Sequence, residues 1–173
     1  MSLKKIVFTG PESTGKTTLA KHCAKVFNTT WNPEFARFYL SKANGAYDQE
    51  DITHIARGQL QWEAVWSHHA HRFLFCDTAL IVPKVWSIYK YGNVSLPIES
   101  MLKENKYDHF FLCGIDLPWH YDPLREHPSL MHRQELFNLY QSILLDLQVP
   151  FTTLSGSLSA RCQKAVEHIK KMD

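Results

Sequence analysis

The chain has 173 residues, of which 45% are apolar and 21% charged, so it can bury one core and is too apolar to remain disordered. Nineteen Lys and Arg against seventeen Asp and Glu leave a net charge of +2, which excludes bulk electrostatic binding to nucleic acid or anionic lipid. No apolar run exceeds four residues, so no membrane span is expected, and Ile6-Val7-Phe8 is too short an apolar stretch for a signal peptide.

In chain order, Lys4–Thr9 reads as a strand broken by Gly10–Lys16. Residues 16–27 follow as a helix, with Leu19, Ala20, Cys23, Ala24 and Phe27 on one face. Residues 29–32 form a weak strand stopped by Pro33, and Asn44-Gly45 marks a turn. Asp48 can cap a long helix, with Glu50 and Asp51 near its positive end, although Gly58 should weaken it. Phe73–Cys76, ending at Asp77, and Phe110–Cys113, ending at Gly114, are continuous apolar runs suited to strands buried on both faces. A helix over 129–147, a strand over 149–154 and a final helix capped by Ser157 complete the pattern. Alternating strands and helices predict a three-layer α/β/α fold with a five-stranded parallel sheet, in a single domain over residues 1–173. Ligands of such sheets bind beyond the carboxyl ends of the strands. Cys23, Cys76, Cys113 and Cys162 lie far apart with no C-x-x-C pair, and read as free thiols of a cytoplasmic protein.

Gly10-Pro11-Glu12-Ser13-Thr14-Gly15-Lys16-Thr17 fits G-x-x-x-x-G-K-[ST] in full, between a strand and a helix as the motif requires. Its glycines let successive backbone N–H groups curl around a polyphosphate, and the following helix adds its positive end. Lys16 supplies a mobile cation and Thr17 a hydroxyl ligand for Mg²⁺. Glu12 is unusual beside phosphate, and is expected to point outward, to solvent or to a basic partner. Asp77, at a strand end, is the candidate second Mg²⁺ ligand; the alternative is a cap on the next helix. Glu34 can serve as base or orienter for an acceptor hydroxyl, or can sit at a helix N-terminus for the sake of the dipole.

Beyond the loop come Glu34-x-x-Arg37-x-Tyr39, Phe75-Cys76-Asp77-Thr78, Lys84-x-Trp86-Ser87, Tyr91-Gly92 and Tyr107-Asp108. Asp116-x-Pro118-Trp119-x-x-Asp122-Pro123-Leu124-Arg125, Arg133 and Gly156-x-x-x-x-Arg161 follow in order. In these motifs, over almost its whole length, the chain resembles the ribosylnicotinamide kinase domain of NadR-type proteins, an AAA-like branch of P-loop kinases related to nucleoside and nucleotide kinases. The resemblance implies ATP- and Mg²⁺-dependent phosphorylation of the 5′-hydroxyl of nicotinamide riboside, a small-molecule partner, and a helical lid over about 117–133. A homo-oligomer is left open. By the same resemblance Lys16, Glu34, Asp77, Arg125 and Arg133 are catalytic, the two arginines closing over the transferring phosphoryl. Gly10, Glu12, Ser13, Thr14, Gly15, Lys16, Thr17, Thr18, Ser155, Gly156 and Arg161 would hold ATP, Thr17 and Asp77 the metal, and Glu34, Arg37, Tyr39, Trp86 and Asp116 the acceptor.

Three departures stand out. Neither the DNA-binding module nor the adenylyltransferase domain of NadR precedes the first strand, so those activities are not expected. Ala79 stands where the family tends to have a second aspartate, and Pro83 where a threonine is expected. Among Tyr39, Trp62, Trp66, Trp86 and Tyr89, one or two should touch the acceptor, whose cationic ring would favour an aromatic face. His68-His69-x-His71 reads as a solvated helix end rather than a metal site. Asn105-Lys106-Tyr107-Asp108 matches a guanine-specificity motif, but precedes its strand and so lies at the wrong rim. The alternatives to a riboside kinase are a nucleotide-binding regulatory ATPase, or a kinase for another nucleoside or metabolite.

Overall fold

The computed structural model describes residues 2–43 and 45–172. Five strands, β1 (Lys4–Thr9), β2 (Trp31–Asn32), β3 (Phe73–Asp77), β4 (His109–Cys113) and β5 (Phe151–Leu154), form a wholly parallel sheet in the order β2-β3-β1-β4-β5. The α/β/α reading therefore holds. The apolar strand runs read as two-sided, and the period-two geometry divides them cleanly. Ile6, Phe8, Phe73, Phe75, Phe111 and Cys113 face helices α1 (Lys16–Val26) and α7 (Leu158–Lys170). Val7, Leu74, Cys76, Phe110 and Leu112 face α4 (Ile81–Tyr91) and α6 (Leu130–Asp146). The Phe8 and Phe111 rings stack across neighbouring strands at 5.2 Å, and each fully buried ring contributes roughly 2 kcal/mol of hydrophobic stabilisation.

Three further helices, α2 (Phe35–Lys42), α3 (Gln49–Ser67) and α5 (Leu96–Glu104), form a wall beside β2 and β3. Asp48 caps α3 as its sequence suggests, in a reciprocal capping box with Asp51. Gly58 does not merely weaken that helix. A Cβ there would stand 2.0 Å from the Phe35 ring, so the missing side chain is what lets the start of α2 lie against α3. Of the anticipated Asn44-Gly45 turn, Asn44 lies outside the described residues, while Gly45 has the expected positive φ of 79°.

The β4–α6 connection departs from expectation. Residues 117–129 contain no helix, and α6 starts only at Leu130, so the lid segment is an irregular strap rather than a helical lid. Pro118, Pro123 and Pro128 explain this, since each removes a backbone donor and disfavours helix in the residue before it. No helix is long and apolar enough to cross a membrane among the described residues.

Candidate active site

The strand order brings the phosphate loop, at the end of β1, beside Asp77, at the end of β3, and Glu34, just past β2. The site thus lies at the carboxyl edge of the sheet, where parallel α/β folds bind ligands. Gly10, at φ 128°, passes so close to β4 that a Cβ would lie 2.7 Å from the Cys113 carbonyl oxygen. Gly15 is the N-cap of α1 and offers no side-chain cap, which leaves the first amides of the helix free for an anion. Lys16 Nζ rests on the Pro11 carbonyl at 2.7 Å, and the buried Thr14 hydroxyl bonds the same oxygen at 2.8 Å. Thr14 can therefore meet a ligand only through its backbone.

Thr17 Oγ1 donates to Asp77 Oδ2 at 2.6 Å, while Asp77 Oδ1 is buried with no protein partner. The Asn32 amide and the Thr9 hydroxyl, at the ends of β2 and β1, are also buried and unpartnered. Orphaned buried oxygens at three adjacent strand ends call for a ligand or ordered water. A hydroxyl and a carboxylate side by side are the oxygen donors that Mg²⁺ takes, so the residues present fit that ion. Thr78 turns the chain sharply just after Asp77, at φ 68°, held by its N–H bond to the Phe8 carbonyl at 3.0 Å.

Glu34 is the N-cap of α2 but makes no side-chain capping bond. Instead it faces the cleft, 3.6 Å from Arg37 Nε. Burial, together with repulsion from Asp77, pushes its carboxyl up to about 7 against the pull of Lys16 and Arg37. Burial likewise raises Asp77, opposed by the Thr17 hydroxyl and Lys16. Glu12, Lys16, Thr17, Glu34, Arg37, Trp86 and Arg125 line a cleft of about 180 Å³. Trp86 also walls a second cavity of about 310 Å³, with Tyr47, Tyr89, Lys90, Glu126 and His127.

Several anticipated site residues lie elsewhere. Arg161 is wholly buried and spends its guanidinium on the carbonyls of Thr14, Gly114 and Gly156 and on the Asp116 carboxylate. It has no face left for adenine, so it braces the phosphate loop from behind. Asp116 binds Arg161 and the Gly156 N–H, on the β5 side of the loop and away from the acceptor cleft. The Tyr39 hydroxyl is tied to Asp51 at 2.5 Å and does not line the cleft. Arg133 is buried under the strap, with one bond to the Leu117 carbonyl at 3.2 Å, whereas Arg125 lines the cleft. Glu12 does not point out to solvent. Its basic partner is His127, 3.6 Å away on the strap. Ser155 and Gly156 are exposed after β5, and Ser13 and Thr18 line the cleft.

Of the aromatic candidates, Trp86 and Tyr89 line cavities, Trp62 packs against Phe35 at 5.0 Å and also borders a groove shared with Glu34 and Asp77, and Trp66 packs against the core. The Ala79 methyl is fully buried in the apolar layer that contains Val7 and Val82, so its position cannot host an acid without disturbing that layer. His68, His69 and His71 are exposed, at the C-cap of α3 and just beyond it. Tyr107 and Asp108 are structural: the Tyr107 hydroxyl bonds the buried Glu63 at 3.0 Å, and Asp108 accepts from the Lys5 N–H at 2.7 Å. Sequence reasoning missed Tyr47 and His127. His127 stands two residues after the Asp-Pro-Leu-Arg motif and was within its reach; Tyr47 carries no local signal.

The family model described as an AAA domain matches residues 5–161. The chain belongs to this AAA-domain family. Its sequence is 26% identical over 98% of the chain to the trifunctional NAD biosynthesis/regulator protein NadR of Escherichia coli (strain K12), but spans only 43% of that protein. A crystal structure of NadR in complex with NR superposes with a TM-score of 0.79 at 20% identity, covering 97% of this chain and 50% of that one. A NadR complex with NAD and AMP-PNP gives 0.78 at 19% identity, over 97% of this chain and 49% of that one. The chain thus shares the fold of the part of NadR that it covers.

Proposed function

We propose that this AAA-domain chain is an ATP- and Mg²⁺-dependent kinase that phosphorylates the 5′-hydroxyl of a small riboside, with nicotinamide riboside as the leading acceptor. The observation that carries this reading is the convergence of Lys16, Thr17 and Glu34 on one cleft, with Asp77 bonded to Thr17 at 2.6 Å and Trp86 shared with a neighbouring aromatic cavity. A triphosphate tail on the loop amides would draw Lys16 off the Pro11 carbonyl and onto its β- and γ-oxygens. Thr17 and Asp77 would hold Mg²⁺, which when bound neutralises charge on those oxygens. Glu34 would orient the acceptor hydroxyl and take its proton, with a carboxyl poised near neutrality for that exchange. Arg125 would face the charge spreading over the transferring phosphoryl. Phosphoryl transfer asks little covalent chemistry of the protein, so positioning and electrostatics supply the rate.

The aromatic walls of Trp86 and Tyr89 favour a flat ring, while the Tyr47 ring packs on Trp86 at 5.7 Å and is already covered by Lys90 Nζ at 3.6 Å. Incubation with ATP, Mg²⁺ and a panel of ribosides, with products identified by mass spectrometry, tests the reading. Nicotinamide mononucleotide as the preferred product is the expected outcome. Phosphorylation of a different nucleoside would move the acceptor assignment, and no phosphorylated riboside at all would end the proposal.

A further inference from the structure

An acidic side chain in a loop shaped for polyphosphate opposes binding, so Glu12 calls for a reason. Its two carboxylate oxygens accept the consecutive backbone N–H groups of Glu126 and His127, at 2.9 and 3.1 Å. The next residue, Ser13, accepts the His120 N–H at 2.9 Å and donates to the Pro118 carbonyl at 3.3 Å. Arg125 lies between these two anchorages and is itself held to the His120 carbonyl at 2.5 Å. With no helix or strand of its own, the 117–129 strap takes its path from such contacts.

We propose that Glu12 is a positioning residue that clasps the strap onto the phosphate loop and thereby sets Arg125 over the cleft. This goes beyond the kinase reading but rests on it for the role of Arg125. Charge-assisted bonds from one carboxylate to two successive amides hold the strap by its backbone, independently of its side chains. Burial opposes the charged form of Glu12, but the His127 side chain and the two amides outweigh it and keep the carboxyl below its ordinary range.

The test is amide hydrogen exchange on the full chain without nucleotide, paired with steady-state kinetics. In Glu12→Ala, exchange at Glu126 and His127 should rise about tenfold while α1 and α6 are unchanged. The kcat should fall about tenfold with no rise in the KM for ATP, because a negative charge has left the phosphate loop. Glu12→Gln keeps one acceptor and should fall between, and it decides the matter if the alanine variant does not fold. Unchanged exchange at 126 and 127 overturns the clasp. The exchange measurement needs no turnover, so the two readings fail separately. Glu12-dependent protection in a wild-type chain that phosphorylates no riboside leaves the clasp and removes the kinase. Riboside phosphorylation with exchange and kcat indifferent to Glu12 does the reverse.

Discussion

Replacing Arg161 by Met separates a brace from a nucleotide contact. Methionine keeps much of the buried stem volume and removes only the guanidinium, whose bonds reach the Thr14 and Gly114 carbonyls at 3.0 Å each and the Gly156 carbonyl at 2.9 Å. A hydrogen bond from a charged donor contributes about 1.5–3 kcal/mol, and the two most deeply buried carbonyls are left unsatisfied, which sets a loss of about 3–5 kcal/mol. Asp116 adds little, because its side chain is 44% exposed and water can take over the solvation of its charge. For a chain of this size the loss corresponds to a drop in Tm of roughly 10 °C. Thermal unfolding followed by circular dichroism, with ATP affinity measured well below the transition, reads both effects. A Tm within about 2 °C of wild type, combined with much weaker ATP binding, would refute the brace and restore a direct contact with the nucleotide.

Three other outcomes are expected. Gly58→Ala gains about 1 kcal/mol of helix propensity but drives a methyl into the Phe35 ring, which is packed on Trp62 and Phe38; denaturant melts should show net destabilisation of about 1–2 kcal/mol. Trp86→Ala should raise the riboside KM at least about tenfold and leave the KM for ATP within about twofold, since Trp86 walls both the cleft and the aromatic cavity. Glu34 titrates near 7, so its contribution to stability is full below its ordinary carboxyl range and is lost as pH rises through about 7. Asp77→Asn removes a repelling charge and should move that midpoint downward in a carboxyl-carbon NMR titration; an upward or absent movement would show that the two carboxyls do not face each other.

Much of the fold is legible in the residue pattern. The strand at Lys4–Thr9 and the Asp48 cap fall where the residue pattern puts them, because apolar runs and capping chemistry act over a few neighbouring residues. The phosphate loop was equally plain, since its glycines, lysine and threonine are needed at fixed spacing by one local backbone shape. The resemblance could supply roles by position but not directions. Asp116 and Arg161 stand in the expected order, yet they turn toward each other and away from any ligand face.

The sequence by itself determined the layered architecture and the phosphate cradle, both consequences of short-range pattern. Only the tertiary structure decided that Glu12 reaches the strap, that Tyr47 and His127 wall a cavity, and that Gly58 exists to admit a ring. The physical reason is range: these contacts join residues far apart in the chain, and the direction of each side chain follows from how whole elements pack. No window of neighbouring residues carries that information.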